Sequence, residues 1–161
     1  MSTVGPHIRR FEPADQAGAR RLIQAGLAEH FGFADEDANP DLNDIAASYP
    51  AQGHLFLIAE SGGDLIGTAA LITAGVEAGR IVRVSVARDH RRQGVARALM
   101  ARLAQHARAL GLVRLWVETN DDWADAIGLY VALGFREHAR GDGSAYLSME
   151  IAPCNPPGRS A

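Results

Sequence analysis

One segment constrains the architecture more than any other: residues 80–118 read RIVRVSVARDHRRQGVARALMARLAQHARALGLVRLWVE. Valine alternates with other side chains over residues 80–86, which is the two-residue period of a strand. Apolar residues then recur at the helical period over residues 94–110, and Gly111 ends that pattern. Because alternation returns at residues 112–118, the segment predicts a strand, a helix and a second strand parallel to the first.

The residues before this segment predict a strand, two helices and a hairpin. The strand is expected over residues 7–11, a helix over residues 13–32 and a short second helix over residues 42–49. The apolar runs 54–60 and 64–73 are joined by Ser-Gly-Gly-Asp, which is a reverse-turn sequence. These two runs therefore predict an antiparallel hairpin.

The residues after the segment predict one more helix and a closing hairpin. The helix is expected over residues 121–133, and the hairpin over residues 135–139 and 145–151. Residues 152–161 are rich in proline and are predicted not to fold. The order of elements predicts a single α+β domain over residues 1–151, with a mixed sheet and helices on both of its faces.

Composition restricts the classes of function. The 161 residues suit one compact domain, and 47% hydrophobic with 22% charged residues are typical of a folded soluble protein. A net charge of -3 gives no overall attraction to nucleic acid or to an anionic membrane. The sequence has neither a signal-peptide core nor an apolar run near the roughly 18 residues of a membrane span. We therefore expect a cytoplasmic protein with no membrane partner.

Cysteine and histidine give no indication of a metal. Cys154 is the only cysteine, so an internal disulfide is excluded. The six histidines are scattered along the chain without the paired helical spacing that would bring two imidazoles to one ion. We predict no metal site.

A candidate anion site lies between the first strand and the helix of the central segment. Its residues, called the cradle below, are Arg91-Arg92-Gln93-Gly94-Val95-Ala96. The first turn of a helix presents unpaired N–H groups and a positive dipole end, and Gly94 has no side chain to keep a phosphate away. Arg88 and Arg97 add positive charge nearby. The cradle predicts a bound pyrophosphate, although each arginine could equally belong to a solvated basic turn.

Two motifs together resemble a known family. Neither GxxxxGK[ST] nor GxGxxG occurs, which argues against a nucleoside triphosphate and against NAD. The combination of a strand ending V-x-V with R-x-x-G-x-A resembles the acetyl-CoA-binding motif of the GNAT superfamily of N-acetyltransferases. Residues 126–135, AIGLYVALGF, resemble the later A-x-x-L-Y-x-x-x-G-F signature, and the order of elements matches across residues 8–151.

The resemblance implies a fold and an activity. The fold would be a GNAT-like, mostly antiparallel sheet with one splayed parallel strand pair. The activity would be transfer of an acetyl group from acetyl-CoA to a primary amine of a small molecule or peptide. In that reaction the amine attacks the thioester directly.

The resemblance also implies roles for single residues. Val84, Ser85 and Val86 would run beside the pantetheine arm through backbone hydrogen bonds. The residues that would hold the pyrophosphate are Arg91, Arg92, Gln93, Gly94, Val95 and Ala96, with Arg97 beside them. Tyr130 would face the thioester sulfur, but a core role is equally open because Trp123 and Ile127 precede it at helical spacing. Asn120 is a candidate cofactor contact, since Trp123 stands where many relatives have an asparagine.

The reaction needs a base, because deprotonating an alkyl ammonium at pH 7 costs about 4 to 5 kcal/mol. Many GNAT relatives carry a glutamate at about the position of Arg80. Glu118, at the end of the second parallel strand, is the candidate replacement, because ligands of such sheets bind beyond the strand ends. Water or another group stays an alternative base. The N–H of Val86 is the candidate donor to the thioester oxygen.

The acceptor and the assembly stay open. The acidic residues that would attract a cationic acceptor, or form a solvated loop, are Asp35, Glu36, Asp37, Asp41 and Asp44. A CoA-binding sensor or pseudoenzyme of the same fold is the alternative function, because Arg80 replaces the expected glutamate. RNA binding is disfavoured, since the helix after Gly94 offers no stacking aromatic. The sequence leaves a homodimer open.

Overall fold

The described part of the chain contains seven strands and four α-helices. The structure, a computed structural model, describes residues 5–33 and 37–152. The strands are β1 (His7–Arg10), β2 (Leu55–Ser61), β3 (Asp64–Thr73), β4 (Ala78–Val86), β5 (Arg114–Asn120), β6 (Arg136–Gly141) and β7 (Ser144–Glu150). The helices are α1 (Gln16–Phe31), α2 (Ile45–Ser48), α3 (Val95–Ala109) and α4 (Ala124–Ala132). The predicted order of elements is confirmed.

The strands form one mixed sheet in the order β1-β2-β3-β4-β5-β7-β6. β4 and β5 are parallel, with Cα pairs running from Ala78 and Arg114 to Ile81 and Val117. The pairs β1–β2, β2–β3, β5–β7 and β6–β7 are antiparallel. The predicted α+β class, with a mostly antiparallel sheet and one parallel pair, is therefore confirmed.

Two compact units divide the chain. The first comprises residues 5–33, 37–72 and 82–103 of the described chain, and the second residues 73–81 and 104–152. The single domain expected from the sequence stays a prediction, and residues 153–161 of the expected tail lie outside the described residues. Among the helices of the described ranges, none combines the length and the apolar character that crossing a membrane requires.

In the first unit, α1 and α2 cover one face of the sheet. Ala19 and Ile23 of α1 and Ile45 of α2 are buried in one cluster with Phe56 and Ile58 of β2. Each large apolar side chain buried in this way stabilises the fold by about 1.5 to 3 kcal/mol. The helical spacing of the α1 residues in the sequence is thus explained by this contact.

The opposite face of the same strands carries α3. A Cβ added at Gly67 of β3 would lie 3.0 Å from Val95 Cγ1 and 3.1 Å from Leu99 Cδ1, so glycine permits this close approach. The next residue, Thr68, pairs with Ile58, whose side chain is in the α1 cluster. Because side chains alternate across a strand, α1 and α3 lie on different faces. The expected helices on both faces are confirmed in this unit.

In the second unit, β5 and β7 have one buried and one accessible face. Leu115, Val117 and Leu147 are buried, whereas Trp116 and Tyr146 are only partly covered. This alternation confirms the two-residue period expected for these strands.

The start of α4 was predicted wrongly. The sequence pattern placed it at Asp121, but the helix begins at Ala124. Trp123 is the residue that precedes the helix, and its N–H donates to the carbonyl oxygen of Asn120 at 3.0 Å. A turn therefore separates β5 from α4, and the three residues that looked helical by spacing belong to that turn and to the helix cap.

Candidate functional site

The cradle lies at the start of α3 in the first unit. The N–H of Ala98 donates to the carbonyl oxygen of Gly94 at 3.0 Å, which makes Gly94 the residue that opens the helix. The N–H groups of Val95, Ala96 and Arg97 therefore have no intrahelical partner. These three amides, together with the helix dipole, can bind an anion.

The backbone before α3 keeps the space around these amides open. Gly94 has φ 85° and Arg92 has φ 61°, both in the left-handed region. A Cβ added at Gly94 would meet no atom within 4 Å, so the space beside this backbone is not filled by the chain. Glycine therefore has a conformational role here that is compatible with the ligand role expected from the sequence.

Side chains of the cradle differ in what they can offer a ligand. Arg92, Gln93 and Arg97 are exposed. Val95 is 3% exposed and packs against Gly67, so only its backbone is available to a ligand. The cradle thus offers backbone amides with a few exposed charged side chains around them.

Arg91 already has partners within the chain. Its Nε donates to the carbonyl oxygen of Val86 at 3.1 Å, and its Nη1 lies 2.7 Å from Oε2 of Glu29 in α1. The hydrogen bond from Arg91, with a smaller contribution from the charge of Arg88, holds the pKa of Glu29 below its usual value. Arg91 therefore links the end of β4 to α1, and a phosphate would have to share its guanidinium with a carboxylate.

The end of β4 leads directly into the cradle. Val84, Ser85 and Val86 are partly buried. The Oγ of Ser85 is 3.1 Å from the position that a Cβ of Gly26 would take, so α1 lies close against this strand. The N–H of Ala87 donates to the carbonyl oxygen of Ile66 at 2.7 Å. The three β4 residues and the cradle are brought together in the first unit.

A partly buried ion pair just before these residues was not predicted. Arg83 Nε donates to Asp41 Oδ2 at 2.9 Å, and Arg83 Nη2 donates to Asp41 Oδ1 at 2.6 Å. Arg83 Nη2 also lies 3.0 Å from Asn39 Oδ1, and the Tyr49 hydroxyl donates to Asp41 Oδ2 at 2.6 Å. Burial alone would raise the pKa of Asp41, but the bonds from Arg83 and Tyr49 outweigh it and keep that pKa below its usual value.

The structure gives contacts for two carboxylates of the acidic stretch. Asp41 is neutralised by Arg83, and the Asp44 carboxylate accepts the N–H of Ala47 at 3.1 Å as the cap of α2. These two carboxylates therefore have partners within the fold. Asp35 and Glu36 lie outside the described residues.

Tyr130 lies in α4 of the second unit and is 8% exposed. Its ring meets that of Phe135 edge to face, with 5.7 Å between the ring centroids. Burial raises the pKa of Tyr130 to about 12, so the phenol keeps its proton at neutral pH. The ring therefore packs in the core as the alternative interpretation expected, and the hydroxyl can act as a hydrogen-bond donor.

Glu118 lies in β5, and its carboxylate has three donors around it. Ser144 Oγ donates to Oε1 at 2.9 Å and the Tyr146 hydroxyl lies 3.4 Å from the same atom. Arg80 Nη2 is 3.3 Å from Oε2, and the Arg80 guanidinium lies over the Trp116 ring, 5.1 Å from its centroid. These donors hold the carboxylate in one orientation on the accessible face of β5.

An open cavity lies on the accessible face of the second unit, and it shares Tyr146 with the surroundings of Glu118. Its volume is about 570 Å³, and its lining includes Trp116, Tyr146, Ser148 and His138. Asn120, the last residue of β5, pairs with Ser144 at the edge of the same face. The second unit therefore brings Glu118 and Asn120 onto one strand, with Tyr130 on the following helix.

No group of three potential metal-binding side chains occurs among the described residues. The Arg83 ion pair was missed although the sequence holds one weak signal for it, an arginine in an otherwise valine-rich strand. Its partner lies 42 positions away along the chain, so no local pattern could have identified Asp41.

Comparisons with known proteins agree on one family. Residues 19–135 match the family model described as "Acetyltransferase (GNAT) family". N-acetyltransferase 8F1 of Rattus norvegicus is 35% identical over 114 residues, which cover 68% of this chain and 50% of that protein. The chain thus spans about half the length of this relative. The uncharacterized N-acetyltransferase YjgM of Escherichia coli K12 is 29% identical over 144 residues, or 86% of each chain.

A solved structure shares the fold. The PaiA N-acetyltransferase of Thermoplasma acidophilum, crystallised in complex with coenzyme A, superposes with a TM-score of 0.80 at 14% identity. The match covers 92% of this chain and 100% of the other. At this level of identity the likeness concerns the fold alone.

Proposed function

The chain belongs to the GNAT acetyltransferase family, and we propose that it transfers an acetyl group from acetyl-CoA to a primary amine of a small molecule or peptide. The proposal rests chiefly on the cradle, where amides without intrahelical partners begin α3 next to the open space at Gly94. The names of the relatives, which are N-acetyltransferases, support the same activity.

The residues of the first unit fit the cofactor. The amides of Val95, Ala96 and Arg97 would bind the pyrophosphate, because an anion at a helix start gains both hydrogen bonds and the dipole. Arg92 and Arg97 are exposed and can add charge-assisted bonds. Val84, Ser85 and Val86 would run beside the pantetheine arm. The cofactor supplies an activated thioester, and the coenzyme A complex of the Thermoplasma protein supports this choice of ligand.

Tyr130 would assist departure of the thiolate by donating a hydrogen bond. A thiol has a pKa of about 8.5, and burial raises the pKa of Tyr130 to about 12. Full proton transfer would then be uphill by about 5 kcal/mol, at 1.36 kcal/mol per pKa unit. The phenol therefore acts as a bound donor that stabilises the developing charge, while the N–H of Val86 is the proposed donor to the thioester oxygen.

Glu118 stays the proposed base. It would take the ammonium proton directly or through a water, and the cavity that Tyr146 lines offers room for an amine. Trp116 and Tyr146 give this cavity aromatic walls that suit a cationic acceptor. We propose this face, rather than the acidic stretch between α1 and α2, as the place where the acceptor binds.

A second candidate function is a CoA-binding sensor or pseudoenzyme. Arg80 stands where the resemblance leads us to expect a glutamate, and it lies 3.3 Å from Glu118. Such a protein would bind acetyl-CoA without turnover.

One experiment separates the two functions. Purified protein is incubated with acetyl-CoA and a panel of polyamines, amino acids, aminoglycosides and peptide amino termini, and thiol release is followed together with the mass of each amine. The proposal expects release of CoA and a mass gain on at least one amine. Binding of acetyl-CoA without any amine-dependent thiol release would support the sensor instead.

A cytoplasmic location and a homodimer are further proposals. Cell fractionation tests the first, and sedimentation of the purified chain tests the second.

A further inference from the structure

Arg83 has an unusual backbone for a residue inside a strand. Its φ is 57°, in the left-handed region that residues with a Cβ rarely adopt. Such a conformation costs free energy and persists only where its surroundings hold it. The four Cα pairs of β4 with β5 run from Ala78 to Ile81, so the left-handed residue comes just after them.

Two independent contacts hold Arg83 in this conformation. On the side-chain side, Asp41 receives two hydrogen bonds from the guanidinium, at 2.6 Å and 2.9 Å. On the backbone side, Thr68 Oγ1 donates to the carbonyl oxygen of Arg83 at 2.8 Å, and Thr68 is fully buried. The exposed fractions are 19% for the Arg83 side chain and 26% for that of Asp41, so water screens the pair only in part.

The conformation of Arg83 determines the direction of the backbone over residues 84–86. Val84, Ser85 and Val86 come directly after Arg83, and a left-handed residue turns the strand and so redirects the backbone beyond it. We propose that Arg83 is a positioning residue, which Asp41 and Thr68 hold in place so that residues 84–86 present their backbone to acetyl-CoA. This inference rests on the proposed function, because it assumes that acetyl-CoA lies along these residues.

The first unit contains a matched control. Arg9 and Asp15 form a second bidentate ion pair. Arg9 Nη1 lies 2.7 Å from Asp15 Oδ2, and Arg9 Nη2 lies 2.8 Å from Asp15 Oδ1. Their side chains are 23% and 10% exposed, which is similar to the Arg83 pair. Arg9 lies in β1 and not in the strand that leads to the cradle. Its loss should lower stability without redirecting β4.

The test compares Arg83→Met with Arg9→Met in the full chain. Isothermal titration gives the Kd for acetyl-CoA, and thermal unfolding gives Tm. We expect both variants to lose stability, but only Arg83→Met to weaken acetyl-CoA binding, by about 10-fold, which corresponds to about 1.4 kcal/mol. Arg83→Lys keeps the charge and should recover part of the acetyl-CoA affinity. Arg83→Gly relieves the cost of the left-handed backbone but does not restore the ion pair with Asp41, so it should not recover the affinity fully.

The possible results separate the positioning role from the proposed function. Equal acetyl-CoA affinity in wild type and Arg83→Met, or an equal loss in Arg9→Met, would overturn the positioning role while leaving the proposed function intact. A wild type that binds no acetyl-CoA would overturn the proposed function and this inference with it. If Arg83→Met does not fold, Thr68→Val is tested in its place, because it removes only the hydroxyl bond to Arg83. Unchanged acetyl-CoA affinity in both Thr68→Val and Arg83→Lys would count against the positioning role.

Discussion

The cradle of the first unit and the β5–α4 region of the second were both predicted from sequence motifs, yet they differ in what their chemistry depends on. The cradle offers backbone amides, whose direction is set by Gly94 and the start of α3. The second region offers side chains, and the chemistry of Tyr130 and Glu118 depends on burial and on neighbours such as Arg80. A motif thus predicts the backbone conformation of a segment, whereas the protonation state of a side chain depends on neighbours that the motif does not contain.

The strongest loss of binding is expected at the backbone site. Gly94→Glu would place a side chain and a negative charge in the open space beside the amides, so acetyl-CoA affinity should fall by at least about 100-fold while the protein stays folded. Gly94→Ala is the control, because it carries the same left-handed backbone cost without the charge. Titration calorimetry and circular dichroism measure both properties. Equal affinity in the two variants would contradict the placement of the pyrophosphate.

A large effect on turnover is expected in the second region. Tyr130→Phe keeps the ring contact with Phe135 and removes the hydroxyl, so kcat should fall by roughly 10 to 1,000-fold with little change in acetyl-CoA affinity. Phe135→Leu is the control, since it disturbs packing but leaves the hydroxyl. This variant should have a lower Tm, and its loss of kcat should be smaller than that of Tyr130→Phe. Full turnover in Tyr130→Phe under conditions where chemistry is rate-limiting would make Tyr130 a packing residue.

A more modest effect is expected at the proposed base. Glu118→Gln should lower kcat/KM for the amine by about 10 to 100-fold. Ser144→Ala removes only the 2.9 Å donor to Glu118 and should lower kcat/KM by less. An unchanged kcat/KM in Glu118→Gln would assign proton removal to water or another group.

The weakest effect concerns stability at high pH. Burial raises the pKa of Tyr130 to about 12, above its unfolded value of 10.0, so the folded state holds a proton that the unfolded chain releases first. The stability from this group is complete below pH 10 and is lost as pH rises towards 12. Urea unfolding should show a loss of about 1 kcal/mol more in wild type than in Tyr130→Phe between pH 10 and 11. Parallel curves for the two proteins would argue against the burial of the phenol.

The sequence predicted the elements well because their patterns are local. The helical spacing of α3 and the alternation of β5 each depend on residues a few positions apart, and Gly94 signals its own backbone conformation. The left-handed Arg83 could not be predicted, because alternation around it continues undisturbed and its partner Asp41 is distant in sequence. The late start of α4 was missed because helical spacing extends back through its cap.

Binding of the acetyl-CoA phosphates at the start of α3 is the step on which the other proposals depend. Isothermal titration of acetyl-CoA into the wild-type chain at about 100 μM measures it, because a Kd at or below that concentration gives measurable heat. We expect saturable binding at one site per chain that is lost in Gly94→Glu. If the folded wild type binds neither acetyl-CoA nor CoA, the cradle is not a cofactor site.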